Sequence, residues 1–185
     1  GTRTRGARGE DSDSHVPTRI HPPTPLTMPA YENLTPYEQT ILRGKDLLTD
    51  RLRQLGLRRL DTKDDGACQF RALSQQLWGS DAYHQAVRSA AVGTIRNGRD
   101  GFFGAIFGSS DLFDEYLDEM SRPYTWGDEI TLRATADAYD VKIHLVTSNL
   151  ENWYMQYDAP SGVPRKNLFL AYISPVHYEA IGLAG

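Results

Sequence analysis

Cys68 is the one cysteine in 185 residues, and it stands in the run Asp64-Asp65-Gly66-Ala67-Cys68-Gln69-Phe70-Arg71-Ala72-Leu73. An acid-glycine turn here delivers a thiol to the start of an apolar, helix-forming stretch. The first turn of a helix has unpaired N–H groups and partial positive charge, which lower a thiol's pKa and make thiolate available near neutral pH. Backbone amides of the same loop, at Gly66 and Ala67, can hold an oxyanion. Such a nucleophile needs an imidazole to take its proton. The C-terminal run Ser174-Pro175-Val176-His177-Tyr178-Glu179-Ala180-Ile181 offers one in His177.

Taken alone, a cysteine at the head of an apolar helix is a small buried hydrophobe. Two features argue for chemistry instead. Asp65-Gly66-Ala67 is small and turn-forming, so the thiol can lie at a surface cleft beside bare amides. His177, in turn, sits in a strand pattern with polar neighbours. A third group must fix the ring's tautomer. On a strand, His177 and Glu179 project to the same face, so Glu179 fits that role. Asp65, from the nucleophile's own loop, competes for it.

Those residues need a scaffold, and the chain is long enough for one well-cored domain. Residues 1–30 hold five of the ten prolines and no aromatic residue. They are expected to be a disordered leader, with residues 31–185 forming the folded domain. Thr35-Pro36-Tyr37-Glu38 has the form of a capping box with proline at the first helical position. Ile41, Leu48, Leu52 and Leu55 follow at helical spacing, and Gly56 is a natural stop.

Residues Leu57 to Leu60 then lead into the Asp64–Cys68 turn. The pattern predicts helices over 68–78, 81–97 (capped by Ser80) and 111–120, and one opened by Trp126-Gly127-Asp128. From Val141 the period changes to two. Strands are predicted over 141–146, 153–157, 168–173 and 176–181, with a loop at 160–167. Helices first and a sheet afterwards give an α+β domain, a small central sheet covered by helices.

Composition narrows the function. Net charge is −4 with the two signs mixed along the chain, so there is no basic stripe for nucleic acid. No apolar run approaches the roughly 20 residues that span a bilayer. A lone cysteine rules out an intramolecular disulfide and a multi-cysteine zinc site, and fits a reducing compartment, cytoplasmic or nuclear. His15, His21, His84 and His144 show no paired metal-ligand spacing. Asp111, Asp114, Glu115 and Asp118 share one helix face, read as solvated. No metal and no organic cofactor is expected.

The chain resembles the ovarian-tumour (OTU) family of cysteine deubiquitinases over roughly residues 57–182. Three ordered motifs carry the resemblance: Asp65-Gly66-Ala67-Cys68-Gln69-Phe70-Arg71-Ala72, Trp126-Gly127-Asp128 and His177-Tyr178. It implies a papain-like α+β fold and isopeptidase activity on ubiquitin or a ubiquitin-like protein. It also implies Cys68 as nucleophile and His177 as general base, with Asp65 matching the family's acid in the cysteine loop. Many members have Asp or Asn two residues after the histidine, where this chain has the longer Glu179. The expected partner is ubiquitin or polyubiquitin, acted on by a monomer, with neither nucleic acid nor membrane involved. The alternatives are a protease for another ubiquitin-like modifier and a catalytically weak ubiquitin-binding module.

Overall fold

The computed structural model describes residues 33–185, and Thr35–Gly185 form one compact unit. The expected leader at 1–30 lies outside the described residues. Helix α1 (Pro36–Gln54) starts on the expected box: Thr35 Oγ1 accepts from Glu38 N, and Glu38 Oε2 accepts from Thr35 N. Gly56 follows its end at φ +70°, a backbone region closed to most side chains. Next come β1 (Leu57–Leu60) and α2 (Cys68–Trp78). Ser80 caps a short 3₁₀ turn, Asp81–Tyr83, which leads into α3 (His84–Asn97) rather than one continuous helix.

Helices α4 (Phe102–Ala105), α5 (Ser110–Met120) and α6 (Glu129–Tyr139) complete the helical half. The sheet strands β2 (Lys142–Thr147), β3 (Tyr154–Tyr157), β4 (Asn167–Ile173) and β5 (His177–Leu183) follow. The sheet has five strands, not the four expected, in the order β1-β5-β4-β2-β3. Only β2 and β4 run parallel. Strand β1 escapes the period-two test because Leu57-Arg58-Arg59-Leu60 does not alternate. It forms because β5 presents a free edge, pairing Arg59 with Ile181 and Leu60 with Ala180.

Alternation along the strands gives the sheet two different faces. Leu145, Leu168, Leu170, Tyr178 and Ala180 join the main core with α2, α3, α5 and α6. Val146, Ala171, Ile173 and Ile181 form a second core under α1, closed by Leu48 and Leu52. His177 and Glu179 share the Ile181 face by period two, so α1 covers the side of the sheet that carries them. No helix among the described residues is long and apolar enough to cross a membrane.

Candidate active site

Cys68 opens α2 as expected, but it is buried, 2% exposed, rather than set in an open cleft. Its side chain lies in the main core together with Tyr178 of β5. Helix α2 packs on β5, which sets the nucleophile's helix against the strand that carries His177. Burial dominates the thiol's acidity and pushes its pKa up, with Asp64 and Asp65 adding to the rise against the pull of the Tyr178 and Gln69 amides. The helix start alone implied the opposite direction. An N-terminal field lowers a thiol's pKa only while the thiolate keeps enough solvation, and here it does not.

His177 is also buried, 8% exposed, and lies between two carboxylates. Its Nδ1 stands 3.4 Å from Asp64 Oδ1, and its Nε2 stands 3.6 Å from Glu179 Oε1. Both are ion-pair distances, and Nδ1 makes no aligned hydrogen bond. Glu179 is therefore where the strand periodicity put it, on the ring's Nε2 side. Asp64, which the sequence offered only as part of a turn, is the loop carboxylate beside the imidazole.

Asp65 points elsewhere. Its carboxylate receives Arg71 Nε and Nη2, the latter at 2.9 Å, and its Oδ1 accepts Ala67 N–H at 3.0 Å. Burial raises the acid's pKa, but the Arg71 fork and the Ala67 amide outweigh that and hold it below the usual carboxylate range. Asp65 thus ties the cysteine loop to the first two turns of α2. No contact between Asp65 and His177 is formed among the described residues.

The loop amides divide accordingly. Ala67 N–H donates to Asp65, and Cys68 N–H donates to Asp65 O at 3.1 Å. Ala67, expected as an oxyanion donor, is thereby already engaged, and among the described residues Gly66 N–H has no protein acceptor. Gly66 is glycine for a steric reason. A Cβ there would stand 1.6 Å from the carbonyl oxygen of Tyr124.

Arg88 holds the loop from behind. It is fully buried on the apolar face of α3 and donates to Gly66 O, Met120 O and Pro123 O at 3.0–3.3 Å. Its guanidinium carbon lies 4.2 Å from the Phe70 ring centroid. Burial lowers its pKa to about 10, which leaves it charged at neutral pH. The signal for Arg88 was present in the sequence. A charge flanked by Val87, Ala91, Val92 and Ile95 at helical spacing must be internally satisfied or break the helix face.

The Trp126-Gly127-Asp128 segment braces the residue next to the nucleophile. Asp128 caps α6 through Ile130 N and Thr131 N, and its carbonyl accepts Gln69 Nε2 at 3.0 Å. Thr131 Oγ1 donates to Gln69 Oε1 at 2.6 Å. A Cβ at Gly127 would fall 2.5 Å from Gln69 Oε1. The acidic face of α5 is exposed, and Asp114 pairs with Arg99. His144 stacks on Phe169 and bonds Tyr154 and Asn167. Among the described residues no three His, Cys, Asp or Glu side chains converge as a metal would require.

A model of the OTU-like cysteine protease family matches residues 63–180. The chain is 33% identical over 174 residues to "OVARIAN TUMOR DOMAIN-containing deubiquitinating enzyme 10" of Arabidopsis thaliana, an alignment covering 94% of this chain and 48% of that protein. The chain spans about half the length of the curated plant relatives it matches. Among solved structures, the OTU domain of OTUD1 superposes with a TM-score of 0.68 at 24% identity, covering 79% of this chain and 99% of that one. An OTU domain in complex with ubiquitin gives a TM-score of 0.55 at 17% identity, over 68% of this chain and 69% of that one. These two likenesses are of fold.

Proposed function

The chain belongs to the OTU-like cysteine protease family, and on that premise we propose that it is a deubiquitinase. The reaction is thiol-dependent hydrolysis of isopeptide and peptide bonds at the C-terminal glycine of ubiquitin. One observation carries the reading: a buried thiol opens a helix packed on the strand that bears His177, and His177 lies between two carboxylates. Relatives carrying 33–38% identity over most of the chain are named as deubiquitinating enzymes.

In the proposed cycle His177 takes the Cys68 proton as sulfur attacks the glycine carbonyl carbon, so little free thiolate is needed beforehand. The uncommitted Gly66 N–H is the loop's oxyanion donor. As the tetrahedral intermediate collapses, the carbon–nitrogen bond breaks and His177 returns the proton to the departing lysine amine. Water then attacks the thioester, giving its proton to His177, and the thiol is regenerated. Glu179 keeps the ring oriented from the Nε2 side and balances the imidazolium charge. In this reading the protein acts as a monomer in the cytosol or nucleus, a compartment that the lone cysteine supports.

A catalytically weak ubiquitin-binding module is the second reading, favoured by the raised thiol pKa and the 3.6 Å gap at His177 Nε2. Turnover of a fluorogenic ubiquitin substrate separates the two. An enzyme cleaves it, loses all cleavage with Cys68→Ala and nearly all with His177→Ala, and keeps ubiquitin binding in both. Binding without turnover identifies the module. A panel of electrophilic probes built on different modifiers tests ubiquitin against its relatives: capture of another modifier in preference to ubiquitin would reassign the substrate.

A further inference from the structure

Glu179 does not stand alone behind His177. Its Oε1, the oxygen facing His177 Nε2, also accepts Arg59 Nη1 at 3.2 Å. The other arm of the guanidinium, Nη2, donates to Thr49 Oγ1 at 3.2 Å, and that hydroxyl in turn donates to Lys45 O at 2.9 Å. One relay therefore runs from α1 through β1 to the carboxylate beside the imidazole. Arg59 and Glu179 side chains are 18% and 10% exposed, so the pair is largely removed from bulk screening.

The register explains how the pair meets. Arg59 lies opposite Ile181 across the β1–β5 ladder, and Glu179 is the diagonal neighbour on the same face. The need for a clamp follows from the side chain. Glutamate has one more rotatable bond than an aspartate or asparagine would have here, and so more positions for its carboxylate to lose. A groove of about 470 Å³ between α1 and β1, lined by Lys45, Arg53, Arg58 and Asp61, opens directly onto Glu179 and Arg59. With Arg59 absent, the carboxylate has solvated space and other cations to turn towards.

We infer that Arg59 is a positioning residue for the reaction: held by Thr49, it fixes the Glu179 carboxylate against His177. The inference rests on the reading of Glu179 as the group that orients His177. Both members of the relay, Arg59 and Thr49, precede the residues 63–180 that match the family model. Helix α1 and strand β1 are thus part of the catalytic apparatus, and not only a cover for the sheet.

The test is steady-state kinetics of the whole chain on a fluorogenic ubiquitin substrate, with Arg59→Met, Arg59→Lys, Glu179→Gln and the Arg59→Met/Glu179→Gln double variant. Groups that act as a unit give non-additive losses, with couplings on the order of 2- to 100-fold. Arg59→Met should lower kcat by about fivefold or more with KM within about twofold, and Arg59→Lys should recover much of that loss. In the Glu179→Gln background, Arg59→Met should add nothing.

Should Arg59→Met fail to fold, Thr49→Val removes the guanidinium's second anchor. It should show a smaller kcat loss that also vanishes in that background. Full additivity, or a change in KM alone, overturns the positioning role. A damaging Glu179→Gln beside a silent Arg59→Met overturns the inference and leaves the reading of Glu179 intact. A silent Glu179→Gln removes that reading and the inference together.

Discussion

Arg71 grips Asp65 with two donors, Nε and Nη2, the shorter contact being 2.9 Å, and so turns the carboxylate away from His177. The neighbour of Asp65 in the same loop, Asp64, is the one that stands beside the imidazole. The acid that shares a strand face with the imidazole is Glu179.

Asp65→Asn and Glu179→Gln should accordingly fail in different ways. Glu179→Gln keeps the shape and loses the charge, and should lower kcat by roughly tenfold or more with little change in KM. Asp65→Asn should instead cost about 1–2 kcal/mol of stability, by weakening a partly buried, charge-assisted fork. Because the Asp65 pKa is depressed by folding, its stabilisation is present at neutral pH. It is lost as pH falls from the ordinary 3.8 through the lower folded value. Thermal melts at neutral and strongly acid pH, beside kinetics on one substrate, check both halves. A large kcat loss in Asp65→Asn at unchanged stability would reverse the assignment.

Arg88→Met should destabilise the domain while leaving the reacting groups in place. It removes donors to three carbonyls, Gly66 O, Met120 O and Pro123 O, in a fully buried setting. Unsatisfied buried carbonyls and a lost guanidinium should cost about 3 kcal/mol, or roughly 6–12 °C in Tm for a domain of this size. Calorimetry decides; an unchanged Tm would mean the loop is held by something other than Arg88.

Gly66→Ala should be inactive. The added methyl would overlap the backbone carbonyl of Tyr124, and neither backbone can yield as a flexible side chain would. The loop carrying Cys68 must shift by ångströms, enough to misplace both nucleophile and Gly66 N–H. Turnover should fall by about a hundredfold or more, while circular dichroism shows that the helices remain. Activity within a few-fold of the parent would show that the loop has another way to close on Tyr124.

The free thiol should behave as a buried one. Only thiolate is alkylated, and burial holds the Cys68 pKa above its ordinary 9.0. The rate of modification by chloroacetamide should therefore be low near pH 7 and still rising by about pH 9, close to tenfold per pH unit. A plateau already reached near neutral pH would show a preformed thiolate and contradict the dominance of burial.

Local pattern alone was enough for the elements whose bonds close locally. The Thr35–Glu38 box, the helix opening at Cys68, the Asp128 cap and the period-two run in β2 join residues a few positions apart or alternate in plain view. The shared face of His177 and Glu179 was legible for the same reason. What the sequence left open depends on pairings across the fold. Strand β1 exists because β5 supplies an edge about 120 residues away, and Arg88 is tolerated only because three distant carbonyls converge on it. Which loop acid faces His177, and which way the Cys68 pKa moves, turn on burial and on competing partners. Those are properties of the packed environment, and a helix start or a spacing cannot carry them.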